Sequence, residues 1–211
     1  MNGYKLGERF LKIIFDNALR FRVDEIYVTI FDKSIEQIRL INLLSDFVFT
    51  KHGTKDGAEL VFTRDFKPAF DSSNPKYTFP YVDANKDIFI TPIYPEYHTN
   101  LFPDSILRTE SPSDYIENEP FRNAISKVFI SRSMERNLNT GDIIVFYRTG
   151  GYFKSVVTTI GIVESVVTDI KGPQHFIDLC KKRSVFSDKE LLEFWHFKTS
   201  KPFIVNFLYA Y

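Results

Sequence analysis

The chain has 211 residues, of which 44% are hydrophobic and 16% aromatic, which indicates a globular chain with a core for one ordinary domain or two small ones. Lys and Arg together number 27, as do Asp and Glu, so the formal net charge is zero. This balance excludes binding to nucleic acid or membrane through bulk charge and leaves only a local patch for any nucleic-acid affinity.

The single cysteine, Cys180, excludes an internal disulfide and the usual multi-cysteine zinc sites, and we expect no metal. No apolar stretch approaches the ~20 residues of a membrane span. The N-terminus lacks the apolar region of a signal peptide. The sequence therefore predicts a soluble, cytoplasmic protein with no membrane partner.

The first 66 residues predict two helices and three strands in the order α-β-α-β-β. Apolar residues recur at helical spacing between Leu6 and Phe21, with charged residues on the other side. Ser34 and Gln37 have the spacing of a capping box and predict the start of the second helix. The predicted elements are a helix over 5–22, a strand over Ile26–Ile30, a helix from Ser34, and strands over Phe47–Phe49 and Glu59–Thr63.

A turn with two glycines, Asn2-Gly3-Tyr4-Lys5-Leu6-Gly7-Glu8, opens the first helix. Glycines allow backbone N–H groups to approach a phosphate, and a helix N-terminus adds partial positive charge. This turn and the elements after it resemble the C-terminal half of GNAT-type N-acetyltransferases over residues 2–66. In that family the equivalent turn binds the pyrophosphate of acetyl-CoA. The resemblance implies weak acetyl-CoA binding, with these cofactor-binding residues: Gly3, Lys5, Leu6, Gly7 and Glu8.

The first half of the GNAT fold would precede Met1, and it would carry the strand that admits the cofactor and usually the general base. The resemblance therefore implies an incomplete unit whose catalytic residues are unknown, and acyltransferase activity stays open. One alternative is an α/β packing module without activity. The other is an N-acetyltransferase whose missing half lies upstream or in a partner chain.

Residues 67–86 contain prolines and serines and show no hydrophobic periodicity. Such a stretch predicts a linker. The predicted domains are therefore a unit over residues 1–66 and a second unit over residues 87–211.

The second unit begins with a strand over Ile88–Ile93. Pro92 predicts that this strand lies at a sheet edge, because proline cannot donate a hydrogen bond to a ladder. His98 follows, near Glu96 and Asp104 in sequence, so a metal site is conceivable. A lone histidine in a loop is far more often a hydrogen-bonded turn residue, which is the favoured interpretation.

A hairpin is the central feature of the second unit. Gly141-Asp142 opens the run Ile143–Phe146, which is apolar on both faces and so predicts a strand with neighbours on both sides. Its predicted partner is a strand over residues 155–167. The other predicted elements are a strand over Lys127–Ser131, a helix over Pro173–Lys182, a helix with a capping box at Ser187 and Glu190, and a strand over Phe203–Phe207. The basic run Lys181-Lys182-Arg183 is interpreted as a solvated helix end.

Three parts of this unit resemble a PUA-like β-barrel of the EVE or ASCH type. They are the strand Lys127–Ser131, the Gly141-Asp142 pair with its apolar strand, and Gly161-Ile162-Val163-Glu164. The resemblance covers residues 87–211. Members of this superfamily typically bind RNA or a modified base in a cleft on the barrel, so the resemblance implies RNA or a modified nucleotide as the partner.

Aromatic and basic side chains near the hairpin suit base recognition, because aromatic rings stack on bases and arginine contacts phosphate. The predicted nucleic-acid-binding residues are Ser131, Arg132, Ser133, Tyr147, Arg148, Tyr152 and Phe153. Neighbours on a strand point to opposite faces, so one of Tyr147 and Arg148 is expected to be buried, and we expect Arg148 to be exposed. For each aromatic residue, ordinary packing is the alternative.

The whole sequence predicts an α+β protein, in which a partial GNAT-like α/β unit precedes a PUA-like β-barrel with flanking helices. The predicted function is binding of nucleic acid or a modified nucleotide, coupled to an incomplete acetyltransferase unit. The alternative is an acetyl-CoA-dependent N-acetyltransferase whose PUA-like domain presents an RNA or protein substrate.

Overall fold

The computed structural model describes residues 5–71, 73–105, 119–150, 156–197 and 200–211. The first part of the chain follows the predicted order α-β-α-β-β. Its elements are α1 (Leu6–Phe21), β1 (Glu25–Ile30), α2 (Ile35–Asp46), β2 (Thr50–Lys55) and β3 (Glu59–Asp65). β1 and β2 both pair antiparallel with β3, so this three-stranded sheet has the order β1-β3-β2.

The start of α2 is determined by its capping residues. The Oγ of Ser34 accepts a hydrogen bond from the Gln37 backbone N–H at 3.2 Å, and the Gln37 side chain accepts one from the Ser34 N–H at 2.9 Å. These two bonds satisfy backbone donors that the first helical turn leaves without partners. The predicted capping box is therefore confirmed.

The predicted strand over Phe47–Phe49 is wrong. α2 continues to Asp46, Val48 has a positive φ of 67°, and strand pairing begins only at Thr50. Phe47 and Phe49 are both buried in the core. Their apolar character therefore reflects packing after the helix end and not strand formation.

In the second part of the chain, the described residues form one five-stranded sheet and four helices. Its elements are β4 (Ile88–Ile93), α3 (Pro95–Leu101), α4 (Pro120–Asn123), β5 (Ser126–Ser131), β6 (Ile143–Arg148), β7 (Val156–Val167), α5 (Pro173–Cys180), α6 (Asp188–His196) and β8 (Phe203–Tyr209). The strand order is β4-β6-β7-β8-β5, and β4 pairs parallel with β6 while the other pairs are antiparallel.

The predicted hairpin is confirmed, since β6 and β7 pair antiparallel and each has a second neighbour. Ile143, Ile144 and Phe146 of β6 are all buried, as expected for a strand inside a sheet. The predicted edge position of Pro92 is also confirmed, because β4 is the first strand of the sheet.

A closed barrel is not formed by the strands that the structure describes. β4 and β5 lie at opposite edges of the sheet, yet Phe89–Pro92 and Phe129–Ser131 line the same cavity. The sheet must therefore curl until its two edges face each other across a gap. The expected β-barrel is corrected to an open, curled sheet with a cleft between its edges.

The two parts of the chain share apolar core residues. Phe15 of α1 packs against Phe79, with ring centroids 5.5 Å apart, and the same cluster includes Ile125 and Leu208 from the second part. Phe79 belongs to the stretch 67–86 that was predicted to be a linker, and it is completely buried. Residues on both sides of this stretch are therefore in contact through one core.

Among the helices of the described residues, none is both long enough and apolar enough to cross a lipid bilayer.

Candidate functional site

Three adjoining cavities meet at Arg132, which follows the last residue of β5. The strand cavity, of about 490 Å³, lies between Phe89–Pro92 and Phe129–Ser133. The aromatic cavity, of about 220 Å³, is lined by α3, β5, the 184–186 segment and α6. The acidic cavity, of about 290 Å³, contains Glu190 and Glu193. We call the three together the Arg132 cleft.

The guanidinium group of Arg132 is held by two aromatic rings. Its central carbon lies 4.7 Å from the ring centroid of Phe194 on α6 and 4.0 Å from that of Phe197, just after α6. Such stacking fixes a planar cation without using its N–H donors. Within the described part of the chain, the buried Nη1 of Arg132 has no hydrogen-bond partner.

A row of aromatic rings forms one wall of the aromatic cavity. Tyr97 of α3 lies 4.8 Å from Phe186, and Phe186 lies 4.7 Å from Phe194, both measured between ring centroids. Tyr94 adds a ring 6.4 Å from Tyr97 and is largely exposed. The wall therefore runs from solvent at Tyr94 to the guanidinium of Arg132.

The charges of the cleft are unevenly distributed. Glu190 and Glu193 line the acidic cavity, Glu135 lines the strand cavity, and Arg132 lines all three cavities. Burial raises the pKa of Tyr97, and the negative charges of Glu96 and Glu190 raise it further, so its hydroxyl stays protonated at neutral pH. Hydrogen bonds from Ser187 lower the pKa of Glu190, so this carboxylate is negatively charged at neutral pH.

Three of the residues predicted to bind nucleic acid lie in this cleft: Ser131, Arg132 and Ser133 line the strand cavity. The Oγ of Ser131 accepts a hydrogen bond from the Ser133 N–H at 3.1 Å. The Oγ of Ser133 in turn accepts one from the Glu135 N–H at 3.1 Å. Both hydroxyls keep their hydrogen as a donor for a ligand.

Two further predicted residues, Tyr147 and Arg148, lie elsewhere. Tyr147 and Arg148 end β6, where they pair with Pro92 and Ile93 of β4, and both are half-buried. Neither is among the described residues that line the Arg132 cleft. Tyr152 and Phe153 lie outside the described residues.

Of the residues predicted to bind acetyl-CoA, Gly3 lies outside the described residues, and the other four begin α1. The carboxylate of Glu8 is buried, bonds to the Lys5 ammonium and accepts a hydrogen bond from the Ile125 N–H at 2.9 Å. Gly7 faces Leu43 of α2, and Leu6 is exposed. An acidic side chain thus lies in the first turn of α1. Binding of acetyl-CoA at this turn stays a prediction.

His98 occupies a buried position on α3 and not an exposed loop. Its Nε2 lies 2.7 Å from the Oγ1 of Thr158. In the described ranges, no three His, Cys, Asp or Glu side chains converge as they would around a metal ion.

Sequence patterns did not indicate the aromatic residues of the aromatic and acidic cavities, namely Tyr94, Tyr97, Phe129, Phe186, Phe194 and Phe197. They come from segments that are up to about 100 residues apart in sequence. In a chain with 22 Phe and 11 Tyr, no single ring is distinguishable from a core residue. A usable signal was the Ser131-Arg132-Ser133 triplet, which marks the end of β5 where these rings converge.

Comparison with known proteins gives little further information. No protein-family model matches the chain. No curated protein matches it either.

The chain is similar to two crystal structures of ZmASCH variant proteins from Zymomonas mobilis. One has 11% sequence identity and a TM-score of 0.38, covering 59% of this chain and 68% of that chain. The other has 10% identity and a TM-score of 0.39, covering 60% and 70%.

Proposed function

We propose that the chain binds single-stranded nucleic acid or a modified nucleotide in the Arg132 cleft. The observation that carries this proposal is the Arg132 guanidinium, held between Phe194 and Phe197 with its buried Nη1 lacking a protein partner in the described residues. A buried donor without a partner is costly, and an oxygen of a ligand would satisfy it. A phosphate oxygen gives the strongest such bond, because it is charged.

The dimensions of the cleft fit a nucleotide. The aromatic cavity of about 220 Å³ is smaller than the ~300–1,000 Å³ of typical ligand pockets, so it suits one planar, base-sized group. Its aromatic wall offers faces on which a base can stack. The adjoining strand cavity of about 490 Å³, with the hydroxyls of Ser131 and Ser133, leaves room for sugar and phosphate.

The charge of Arg132 distinguishes this site from an aromatic cage for cations. Aromatic rings also bind quaternary ammonium groups. In this cleft the two rings nearest the charged centre already hold the guanidinium of Arg132. A second cation in contact with it would be repelled, so an anionic ligand is favoured.

The proposal is tested by fluorescence anisotropy with labelled single-stranded RNA and DNA oligonucleotides, and by competition with nucleoside monophosphates. We expect Arg132→Gln to weaken binding roughly 10- to 100-fold, because a charged hydrogen bond is worth ~1.5–3 kcal/mol. The dependence of affinity on salt should also become shallower, since fewer counterions are released.

Arg39→Gln is the matched control, because Arg39 is an exposed arginine of α2, outside the cleft. It removes the same charge and should leave binding unchanged. Wild-type protein that binds none of these ligands in a salt-sensitive manner would refute the proposal. An Arg132→Gln variant that binds as tightly as the Arg39→Gln variant would place the site elsewhere.

A further inference from the structure

A fourth cavity lies directly behind the aromatic cavity. It has a volume of about 430 Å³, and we call it the Lys182 pocket because Lys182 lines it together with Arg122. Ser184, Val185 and Phe186 line both this pocket and the aromatic cavity. The two cavities therefore adjoin along this segment.

Lys182 has an unusual backbone conformation for its residue type. α5 ends at Cys180, Lys181 is its C-cap, and Lys182 follows with a positive φ of 64°. This position after a helix favours glycine, because a side chain is strained in the left-handed region. The chain instead places an exposed lysine here. A strained residue at a cavity is a reason to ask what its side chain does.

The charge of the Lys182 pocket is favourable for an anion. Among the residues that the structure describes, its charged lining residues are Lys182, Arg122 and Glu119, with a net positive charge. The acidic cavity, on another side of Arg132, carries Glu190 and Glu193 and would repel a phosphate. A polyanion in the aromatic cavity would therefore extend toward the Lys182 pocket and not toward the acidic cavity.

We propose that the Lys182 pocket is a second phosphate subsite, which binds the nucleotide next to the one in the aromatic cavity. This inference rests on the proposed function, because it assumes that a base occupies the aromatic cavity. Lys182 makes the ionic contact with the phosphate, and Arg122 contributes to the positive potential. The ligand class is single-stranded nucleic acid of two or more nucleotides.

The test compares a nucleoside monophosphate with a short single-stranded oligonucleotide on the full chain. For Lys182→Gly we expect unchanged affinity for the monophosphate, because that ligand fills only the aromatic cavity and the Arg132 contact. The affinity for the oligonucleotide should fall about five-fold at ~0.1 M salt, with a salt slope smaller by ~0.7, as the loss of one phosphate contact on a single strand implies. The melting temperature should stay the same or rise, because glycine relieves the strain at residue 182.

Lys181→Ala is the matched control, since Lys181 is the neighbouring exposed lysine and is not among the lining residues of the pocket. It removes one positive charge but should leave both affinities unchanged. Equal oligonucleotide affinities for the two variants would overturn the second subsite while leaving the proposed function intact. Wild-type protein that binds neither ligand would overturn the proposed function and this inference together.

Discussion

Lys127 is a fully buried lysine at the junction between α1 and the five-stranded sheet. Its Nζ donates hydrogen bonds to the carbonyl oxygens of Phe121 at 2.6 Å and Arg122 at 3.2 Å, and it lies 5.3 Å from the ring centroid of Tyr209. Burial lowers the pKa of Lys127 from 10.5 to about 7. Glu8 and Asp104 act in the opposite direction, and Arg9 and Arg122 lower the pKa further.

This pKa predicts how stability depends on pH. Between pH 7 and 10.5 the unfolded chain binds a proton at Lys127 that the folded chain does not bind. The free energy of unfolding should therefore rise with pH in this window, by up to about 1.4 kcal/mol per pH unit for one proton. Burial also raises the pKa of Cys180 from 9.0 to about 12, so the folded chain holds a thiol proton that the unfolded chain loses, and this offsets the rise above pH 9.

The effect of Lys127 can therefore be measured without that of Cys180 between pH 7 and 9. The free energy of unfolding is determined by urea denaturation across this interval, for the wild type and for Lys127→Met. The methionine variant should lack the rise, whatever its absolute stability, because it has no proton to bind at this position. Equal slopes for the two proteins would show that residue 127 is not the group that titrates.

At the scale of elements, α6 positions the aromatic support of Arg132, since it carries Phe194 and ends just before Phe197. Its capping box matches that of α2: Ser187 bonds to the Glu190 N–H as Ser34 bonds to the Gln37 N–H. Ser187→Ala and Ser34→Ala should each reduce the free energy of unfolding by ~1 kcal/mol. The loss should appear in urea denaturation of both variants.

Ligand binding distinguishes these two caps. Ser187→Ala should also weaken oligonucleotide binding. The affinity should fall by up to about five-fold if the whole ~1 kcal/mol is also lost from the binding free energy. Ser34→Ala should leave the affinity unchanged, because no residue of α2 is among the described residues that line the Arg132 cleft. If both variants bind like the wild type, the N-terminal turn of α6 does not contribute to the cleft.

Short-range sequence patterns determine both capping boxes, the helix α1 and the β6–β7 hairpin. These elements could therefore be predicted. Phe47–Phe49 could not be predicted correctly, since a run of aromatic and β-branched residues has strand propensity in isolation. In the folded chain, however, Phe47 and Phe49 pack against Phe15. Long-range packing overrode the local preference.

The cleft was predictable only in part, for a related reason. Ser131, Arg132 and Ser133 were identified because they end a strand with polar and basic side chains. Tyr97, which follows β4, lines the same cavity as Arg132 because the sheet curls and brings β4 and β5 to the two sides of one gap. Curvature of a sheet depends on the whole fold and leaves no local pattern in the sequence.

At the scale of the whole molecule, the central question is whether the two parts of the chain unfold together. Phe79 lies between them in sequence and contacts Phe15 and Phe47 of the first part, within a core cluster that also contains Ile162 and Leu208 of the second. A shared core of this kind predicts one cooperative unfolding transition for the chain.

Phe79→Ala tests this coupling. The substitution should reduce the free energy of unfolding by ~3–5 kcal/mol, as for other buried phenylalanines, because it leaves a cavity in the shared core. Trp195, the single tryptophan, packs against Phe176 in the second part and reports on that part by fluorescence. Since the core is shared, the Trp195 midpoint in urea should shift as far as the midpoint from far-UV circular dichroism.

Phe70→Ala is the control, since Phe70 lies in the same segment but is half exposed. Neither midpoint should move in this variant. A Phe79→Ala variant that shifts the dichroism signal while the Trp195 midpoint stays in place would show two independently folding domains, as the sequence predicted.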